Sequence, residues 1–321
     1  MLGMPERGLD VSVVIVSWNV HHLLRQCLRS VFDTQGLVLE VIVVDNASTD
    51  GSVDMVRREF PGVHLIANAD NRGFPAANNQ GIRVARGRYV FLVNSDAEVL
   101  GDALAAMVAF ADAHPEVGVV GPQLLNPDGS VQSSRRRLPT LATALFESTW
   151  LQPYAPRRLL ERYYVLDRPD DATLDVDWVK GAALMARREG IEQVGLMDED
   201  FFMYSEELDW CRRFREAGWR VVYLPTAQII HHEGKSSEQV LPARHIYFQS
   251  SKVHYFRKYH GSVVAETLRL FLLVNYAWQL GIEGAKWLVG HKRSLRTDRI
   301  AAYRQVLRSG LRGRGVGRSD G

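Results

Sequence analysis

The strongest constraint on the fold is a regular alternation of short apolar runs and helical segments over roughly the first hundred residues. Four runs rich in valine, isoleucine and leucine are typical of strands buried on both faces: residues 11–17, 40–45, 63–67 and 89–93. Between them, three segments repeat apolar residues at helical spacing: residues 22–32, 52–60 and 76–85. This alternation predicts an α/β fold with a mostly parallel, Rossmann-like central sheet, right-handed crossovers and flanking helices.

The rest of the 321-residue chain is less regular. Periodicity predicts further helices and strands: helices at 102–114 and 206–217, strands at 176–185 and 220–224, and helix from 250 onward. Prolines interrupt residues 132–177, which carry arginines at 135–137, so we interpret this stretch as an inserted acceptor-side segment. The expected domains are a catalytic domain and a basic helical extension: residues 1–260, with a donor half at about 11–125 and an acceptor half at about 126–260, and residues 261–321.

Charge and cysteine content narrow the function classes. A net charge of +2 gives no reason to expect nucleic acid as a partner. Cys27 and Cys211 provide neither a disulfide framework nor the spacing of a zinc site. A reducing, cytoplasmic location is therefore expected.

The C-terminal segment predicts contact with a membrane surface or with protein. Residues 263–289 are rich in Leu, Val and Trp, but charged residues interrupt them, so no transmembrane helix is expected. Only Asp298 and Asp320 oppose the basic residues of the tail: Lys286, Lys292, Arg293, Arg296, Arg299, Arg304, Arg308, Arg312, Arg314 and Arg318. An apolar helix followed by a basic one suits a peripheral position on an anionic cytoplasmic membrane face. Packing on the catalytic domain or in a homodimer is the open alternative.

Polar residues follow several of the predicted strands. Asp45 and Asn46 end one strand, Asn68 ends the next, and Asn94, Ser95 and Asp96 end another. Ligands of open parallel sheets bind outside the carboxyl ends of the strands, so these residues are candidates for a binding site. Turn formation and helix capping are the alternative roles for such residues.

Several motifs together resemble glycosyltransferase family 2, which has the GT-A fold, and within it the rhamnosyltransferase-like branch. The motifs occur in the family's order over about residues 11–260: 13–19 (VVIVSWN), 44–52 (VDNASTDGS), 71–81 (NRGFPAANNQG), 94–96 (NSD), 202–213 (FMYSEELDWCRR) and 231–236 (HHEGKS). The resemblance implies an enzyme that transfers a sugar from a nucleotide-diphosphate donor.

The resemblance also implies which residues bind the donor. Asp45 would accept a hydrogen bond from the nucleobase, and Arg72 would pair with phosphate. The implied donor-site residues are Ser17, Asn19, Asp45, Asn46, Ser48, Asn71, Arg72, Gly73, Asn94, Ser95 and Asp96.

A divalent cation, Mg²⁺ or Mn²⁺, is expected to stabilise the charge of the departing diphosphate. The family's Asp-x-Asp motif reads Asn94-Ser95-Asp96 here, which leaves Asp96 as the one carboxylate ligand. Magnesium is often held by few protein carboxylates together with water and phosphate oxygens. His231 is a second candidate ligand, and an imidazole would favour manganese. A loop-capping role is the alternative for Asp96.

The acidic motif supplies the candidate base. In a helix, Glu206 and Asp209 share a face and Glu207 points about a quarter-turn away. Alignment with the family's acidic pair favours Glu207 as the catalytic base, with Glu206 as the second candidate. Asp209 is expected on the acceptor side or in an i,i+4 pair with Arg213, and a solvated acidic face is the alternative for all three. One base without a carboxylate for a covalent intermediate favours inversion.

Trp178 and Gly181 precede the acidic helix and are assigned to the acceptor side. Trp178 is a candidate for stacking on a sugar, with a role in the core as the alternative. The donor expected first is dTDP-rhamnose, with UDP-hexose or GDP-mannose as alternatives. The acceptor is expected to be a hydroxyl of a glycan or lipid-linked molecule in cell-envelope polysaccharide synthesis.

Three other function classes fit less well. A processive synthase would carry a QxxRW-like motif and several transmembrane helices, and a nucleotidyltransferase would open with a glycine-rich basic loop. A non-catalytic nucleotide-sugar-binding module is the third alternative, and it leaves the base and metal positions without a purpose.

Overall fold

A computed structural model describes residues 8–232, 241–290 and 292–312. These residues form two compact units. The first, an α/β unit, comprises residues 8–138, 164–199 and 207–232. The second, a helical unit, comprises residues 139–163, 200–206 and the described residues from 241 onward. By compactness, the helix before residue 260 belongs to the second unit, which the sequence-based division at that residue did not separate.

The strands, numbered in chain order, are β1 (Val11–Ser17), β2 (Leu39–Asp45), β3 (His64–Ala67), β4 (Tyr89–Asn94), β5 (Ala97–Val99), β6 (Val117–Leu125), β7 (Val131–Gln132), β8 (Arg135–Arg136), β9 (Leu174–Asp175), β10 (Trp178–Val179), β11 (Ala183–Arg187) and β12 (Arg220–His231). The helices are α1 (His21–Phe32), α2 (Ser52–Glu59), α3 (Phe74–Val84), α4 (Ala103–Ala113), α5 (Leu141–Phe146), α6 (Arg157–Tyr163), α7 (Arg188–Val194), α8 (Glu206–Glu216), α9 (Leu241–His260), α10 (Ser262–Leu288) and α11 (Arg293–Ser309). A short 3-10 helix covers Gln152–Tyr154.

The central sheet has the strand order β3-β2-β1-β4-β11-β6-β12-β5. Its first four strands are parallel, as the β-strand and helix alternation predicts. β11 runs antiparallel to β4 and β6, while β6 and β12 are parallel. The predicted α/β fold with a mostly parallel central sheet is therefore confirmed.

Alternate residues of β1 enter two different hydrophobic cores. Val13 and Ile15 belong to the core cluster that includes α1 and α4, whereas Val14 and Val16 belong to the cluster that includes α3 and α8. Successive side chains of a strand point to opposite faces of the sheet. Helices cover both faces, which is why the strands read as continuous apolar runs.

Two strands differ from the sequence-based expectation. β6 was not predicted, because Gly118, Gly121 and Pro122 interrupt its apolar pattern. β11 pairs only with Val119 and Val120, so Pro122 lies beyond that ladder, where its missing N–H is tolerated. The predicted strand 220–224 continues instead to His231, because a register shift between Leu224 and Gln228 accommodates the intervening proline.

Further predicted boundaries also move. The predicted strand 176–185 is two strands, β10 and β11, with Lys180–Gly181–Ala182 between them. The stretch 132–177 contains the short helices α5 and α6, and α9 begins at Leu241 instead of near residue 250. The end of the last motif, 233–236, lies outside the described residues, as do Arg314 and Arg318.

The helical unit contains α5, α6 and α9–α11. A buried ion pair joins α10 to α11, with Arg296 Nη1 2.6 Å from Glu283 Oε2. Asn275 is fully buried in α10, and its Oδ1 accepts a hydrogen bond from the Trp150 backbone N–H at 3.0 Å. None of the described helices combines the length and the apolar character needed to span a membrane.

Candidate active site

Two buried polar side chains lie side by side at the carboxyl ends of β1 and β2. Ser17 and Asp45 are 0% and 1% exposed and are paired in register. Asp45 Oδ1 accepts a hydrogen bond from the Ser48 backbone N–H at 2.8 Å. Among the described residues, Asp45 Oδ2 and Ser17 Oγ have no hydrogen-bond partner. A buried polar atom left unsatisfied costs about 1–3 kcal/mol, so these two atoms are candidates for contact with a polar ligand.

Asn19 and Ser48 connect the loops that follow these two strands. The Asn19 backbone N–H donates to Ser48 Oγ at 2.9 Å, and Asn19 Oδ1 accepts from the Thr49 backbone N–H at 2.8 Å. Asn19 adopts a positive φ of 52°, a conformation that asparagine tolerates better than most residues. In the structure, both side chains therefore help to hold the rim of the site in shape.

Asn46 organises the loop that precedes α3. Its Nδ2 donates to the Gly73 carbonyl at 3.2 Å, and its Oδ1 accepts from Asn68 Nδ2 at 3.0 Å and from the Arg72 N–H at 3.4 Å. Asn71 Oδ1 accepts from the Gly73 N–H at 3.0 Å. Gly73 has a φ of 86° and precedes the first turn of α3, where a side chain would be strained.

The Arg72 side chain extends from this loop towards solvent. It is 51% exposed, and its Nε lies 3.5 Å from Asp70 Oδ1. An exposed ion pair of this kind contributes little to stability. The guanidinium can therefore exchange Asp70 for a phosphate at small cost.

A buried carboxylate and imidazole meet where β4, β5 and β12 end. Asp96 and His231 are 5% and 3% exposed, and Asp96 Oδ1 lies 3.4 Å from His231 Nε2. Asn94 Nδ2 also lies 3.4 Å from His231 Nε2. Asn94 Oδ1 has no hydrogen-bond partner within the described ranges. Ser95, between Asn94 and Asp96, is 4% exposed.

This group of donor atoms fits a divalent cation. It offers a carboxylate oxygen, an imidazole nitrogen and the unsatisfied amide oxygen of Asn94. Oxygen ligands suit Mg²⁺, and the added nitrogen is compatible with Mn²⁺. Asp96 and His231, which are far apart in sequence, are thus close enough to share one ion.

The Glu207 carboxyl lies against the turn between β10 and β11. A Cβ added at Gly181 would be 3.3 Å from Glu207 Cβ and 3.5 Å from its Cγ and Cδ. Burial raises the pKa of Glu207, and hydrogen bonds with backbone groups, including Gly181, and the Lys180 charge oppose that shift. Glu207 Oε2 is buried and has no hydrogen-bond partner in the described part of the chain. A carboxylate with a raised pKa is suited to accept a proton.

The other acidic residues of α8 have different surroundings. Glu206 is the first residue of the helix and is 3% exposed. Asp209 is fully buried, and its Oδ2 is 2.9 Å from Arg213 Nε, which is the expected i,i+4 pair. Arg213 also donates to the carbonyls of Val194 and Leu196. Asp209 therefore anchors α8 to the segment that precedes it.

Trp178 lies between backbone and arginine groups. Its Nε1 donates to the Arg137 carbonyl at 2.9 Å. The Arg136 guanidinium lies 4.5 Å from the centroid of the Tyr164 ring and 5.9 Å from that of Trp178. Trp178 is partly exposed, so part of its surface is accessible to an acceptor.

Sequence reasoning missed Gln132 and gave no role to Lys180. Gln132 Oε1 lies 2.8 Å from His231 Nδ1 and 3.3 Å from Lys180 Nζ. Gln132 stands in a proline-interrupted stretch without periodicity, and its partner is 99 residues away. No sequence pattern marks such a pair. Lys180 had one signal, its position next to Gly181.

Comparisons with known proteins agree with this geometry. The profile described as "Glycosyl transferase family 2" matches residues 12–173. An N-acetylglucosaminyl-diphospho-decaprenol L-rhamnosyltransferase of Mycobacterium tuberculosis is 31% identical over 245 residues, which are 73% of this chain and 79% of that protein. A low-salt glycan biosynthesis hexosyltransferase of Haloferax volcanii is 24% identical over 70% of this chain and 67% of its own length.

Solved structures share the fold at lower identity. A mannosyltransferase from Pyrobaculum calidifontis, in complex with GDP-Man and Mn²⁺, has a TM-score of 0.57 and 21% identity, and covers 94% of this chain and 87% of its own. S. aureus TarS 1-349 has a TM-score of 0.51 and 17% identity, covering 94% of this chain and 89% of its own. The fold is thus GT-A, and the profile match and the mycobacterial relative assign the chain to glycosyl transferase family 2.

Proposed function

We propose that this glycosyltransferase moves one sugar, with inversion, from a nucleotide-diphosphate donor to a hydroxyl of a lipid-linked or glycan acceptor. The observation that supports it best is the set of buried, unsatisfied polar atoms at the strand ends. Ser17 Oγ and Asp45 Oδ2 stand at one part of this edge, and Asn94 Oδ1 stands at the end of β4. Burial without a partner is costly for each of them, and a nucleotide sugar would supply the missing groups.

In this proposal the donor lies along the carboxyl edge of β1, β2 and β4. Asp45 Oδ2 accepts an N–H of the nucleobase, and Ser17 Oγ bonds the nucleoside. Arg72 pairs with phosphate, while Asn46 and Asn71 hold its loop. The donor half is thus about residues 11–125, and the acceptor half about 126–260.

Asp96 and His231 would hold the divalent cation, either Mg²⁺ or Mn²⁺, with Asn94 beside them. When bound, the cation stabilises the negative charge that develops on the leaving diphosphate. The mannosyltransferase from Pyrobaculum calidifontis was solved with Mn²⁺ and a nucleotide sugar, which supports this assignment. Because the two side chains are already 3.4 Å apart, little rearrangement is needed to bring them to one ion.

Glu207 is the proposed base. It takes the proton of the acceptor hydroxyl as that oxygen attacks the anomeric carbon, and the diphosphate leaves with the bonding electron pair. Gly181 leaves room for the Glu207 side chain, and Trp178 offers an aromatic surface on the acceptor side. A single displacement by one base gives inversion at the anomeric carbon.

The relative from Mycobacterium tuberculosis suggests the two substrates. Its name specifies transfer of L-rhamnose to an N-acetylglucosaminyl-diphospho-decaprenol. We propose dTDP-rhamnose as the donor and an acceptor of the same class, a hydroxyl of a sugar on a polyprenyl diphosphate. UDP-hexose and GDP-mannose are the competing donors.

A thermal-shift screen of nucleotide sugars with Mn²⁺ or Mg²⁺, followed by a transfer assay, tests the proposal. Ligand binding raises apparent stability by mass action, by about 2.7 kcal/mol at a hundredfold excess over Kd. We expect the largest shift with dTDP-rhamnose and Mn²⁺, loss of the metal-dependent part in Asp96→Ala, and a product of inverted anomeric configuration by NMR. No binding and no transfer with any of these donors would leave a non-catalytic module as the better interpretation.

The helical unit is proposed to contact an anionic membrane surface, consistent with a peripheral cytoplasmic location. One face of α10 is exposed and uncharged along its whole length: Val263, Thr267, Leu270, Val274, Ala277, Gly281, Ala285 and Leu288. Trp278 lies beside this face and is 58% exposed. The basic helix α11 follows, with exposed Arg299, Arg304 and Arg308. Apolar and basic groups together favour an anionic lipid surface.

A further inference from the structure

The buried side chain of Gln132 connects the metal end of the site to Lys180. Gln132 is 6% exposed, and its amide has a neighbour on each side. Oε1 lies 2.8 Å from His231 Nδ1 and accepts from Lys180 Nζ at 3.3 Å. Nε2 donates to Asn126 Oδ1 at 3.0 Å and to the His231 carbonyl at 3.4 Å.

The neighbours determine which way this amide points. A lysine ammonium only donates hydrogen bonds, so the atom that faces Lys180 must be the carbonyl oxygen of Gln132. On the other side, Asn126 donates through its Nδ2 to Ser130 Oγ at 2.9 Å, which leaves Asn126 Oδ1 to accept from Gln132 Nε2. Both contacts therefore require the same orientation of the amide.

This orientation determines the tautomer of His231. The oxygen of Gln132 can only accept, so His231 Nδ1 must carry the proton in the bond between them. In the neutral ring, Nε2 then has its lone pair directed to the side where Asp96 Oδ1 and Asn94 Nδ2 lie, each at 3.4 Å. A lone pair beside a carboxylate is the arrangement that a cation requires of its ligands.

We propose that Gln132 is a positioning residue that keeps His231 in the Nδ1–H tautomer, with Nε2 turned to Asp96 for the divalent cation. The proposal rests on the proposed function, because the cation belongs to that reaction. Lys180 extends the same network to the base, since its charge acts on Glu207 and its amine bonds Gln132. Gln132 touches neither the donor nor the acceptor in this scheme and acts through His231.

The tautomer is tested first, on the metal-free protein, by ¹⁵N NMR of labelled histidine side chains. We expect the His231 ring, assigned by its loss in His231→Gln, to show a protonated Nδ1. In Gln132→Met, which has similar shape but no acceptor, that signature should be lost. Persistence of the Nδ1–H pattern in Gln132→Met, or an Nε2–H pattern in the unmodified protein, would overturn the proposal.

Metal affinity is tested next, by EPR titration of Mn²⁺ in the presence of dTDP. Removing an outer partner of a metal-binding histidine typically weakens metal binding by about 10- to 100-fold, which we expect for Gln132→Met. Gln132→Glu keeps an acceptor for both neighbours and should restore most of the affinity. Gln228→Met is the matched control, since Gln228 lies on the same strand as His231 but bonds Gln123.

The two proposals fail in different ways. Equal Mn²⁺ affinity in Gln132→Met and the unmodified protein would refute the role of Gln132 and leave the proposed transfer reaction intact. An unmodified protein that binds no Mn²⁺ would refute the proposed metal site, and with it the purpose given to Gln132.

Discussion

Asp45 and Asn46 are neighbours in sequence and both are buried, yet only one of them has an atom left for a ligand. Asn46 uses both ends of its amide to hold the loop before α3. Asp45 uses Oδ1 for the Ser48 N–H, whereas its Oδ2 has no partner among the described residues. Residue type suggested the same role for both. Their hydrogen bonds separate a residue that shapes the site from a candidate for donor contact.

Glu207→Gln should abolish transfer while donor binding persists. The amide keeps the shape of the side chain but cannot accept the proton of the acceptor hydroxyl. General-base catalysis contributes about 10²- to 10⁴-fold, so kcat should fall by that order at unchanged donor affinity. Single-turnover kinetics and calorimetric titration with the nucleotide measure the two effects separately. Glu206→Gln is the matched control, and if it loses transfer instead, the base is Glu206.

The pH dependence of kcat/KM should show the same carboxyl. Burial raises the pKa of Glu207 above its ordinary value of 4.5. A base must be ionised to act, so activity should rise with pH through a limb above that value. The residual activity of Glu207→Gln should lack this limb. An acidic limb at an ordinary carboxyl pKa in the unmodified enzyme would contradict the assignment.

Gly181→Ala should slow catalysis without loosening donor binding. The new Cβ would lie 3.3 Å from Glu207 Cβ, which forces the carboxyl to move by a few tenths of an ångström. Displacements near 1 Å can cost about 10²-fold in rate, so we expect kcat to fall by roughly tenfold. Gly62→Ala is the control, because a Cβ there meets no atom within 4 Å among the described residues. Equal kcat in the two variants would exclude this contact as a positioning device.

At the scale of elements, the donor half was predictable because each strand is buried on both faces by its own sequence. β1 and β2 are runs of β-branched residues, and helices with clear apolar stripes separate them. β6 is equally buried but carries Gly118, Gly121 and Pro122. Those glycines meet neighbouring side chains, Phe214 and Val179, at distances that leave no room for a Cβ. Tertiary packing, which a local pattern does not contain, therefore decides that strand.

The candidate site divides in the same way. Asp45 and Asp96 were recognisable because each ends a strand of the parallel sheet, where ligands bind. The bond of Gln132 to His231 spans 99 residues, and that of Asn94 to His231 spans 137. Such pairs depend on the register of β7, β6 and β12, which the sequence does not specify. The position of Glu207 against Gly181 likewise follows from packing.

The contact of α3 with β1 gives a prediction at the element scale. A Cβ at Gly81 in α3 would overlap the Val14 side chain of β1. Overpacking of this kind typically costs about 1–3 kcal/mol, so Gly81→Ala should lower the free energy of unfolding by that amount and weaken donor binding. Gly281→Ala is the matched control: Gly281 is also in a helix, and a Cβ there meets no described atom within 4 Å. That change should stabilise by up to about 1 kcal/mol. Thermal unfolding of the two variants, with opposite signs expected, checks the prediction.

At the scale of the whole chain, the two compact units divide chemistry from charge. The proposed donor, metal and base residues Asp45, Asp96, Glu207 and His231 are all in the α/β unit. The exposed apolar face of α10 and the basic residues of α11 are in the helical unit. If the acceptor is linked to a polyprenyl lipid, the chain must meet it at a bilayer surface. The helical unit then supplies residence at the membrane, and the α/β unit supplies the reaction.

Binding of the full-length protein to vesicles is therefore expected to need both features of the helical unit. On α10, Leu270, Val274 and Trp278 are 56%, 66% and 58% exposed, so their burial in the lipid interface is favourable. We expect flotation with vesicles containing anionic phospholipid, weaker binding to zwitterionic ones, and loss at high salt. The triple variant Leu270→Ser, Val274→Ser, Trp278→Ser should stay with the soluble fraction and keep its melting temperature, since these side chains face solvent.

Two further variants separate the charge from the apolar face. Arg304→Gln with Arg308→Gln should reduce binding to anionic vesicles, because each basic residue near the surface contributes about 1 kcal/mol. The control is Arg157→Gln with Arg158→Gln, a pair of exposed arginines outside α11. Deletion from about residue 262 should likewise move the protein out of the membrane fraction. If the triple variant still floats, or if it converts a dimer into a monomer by light scattering without affecting vesicle binding, the face of α10 packs against protein and the membrane proposal is wrong.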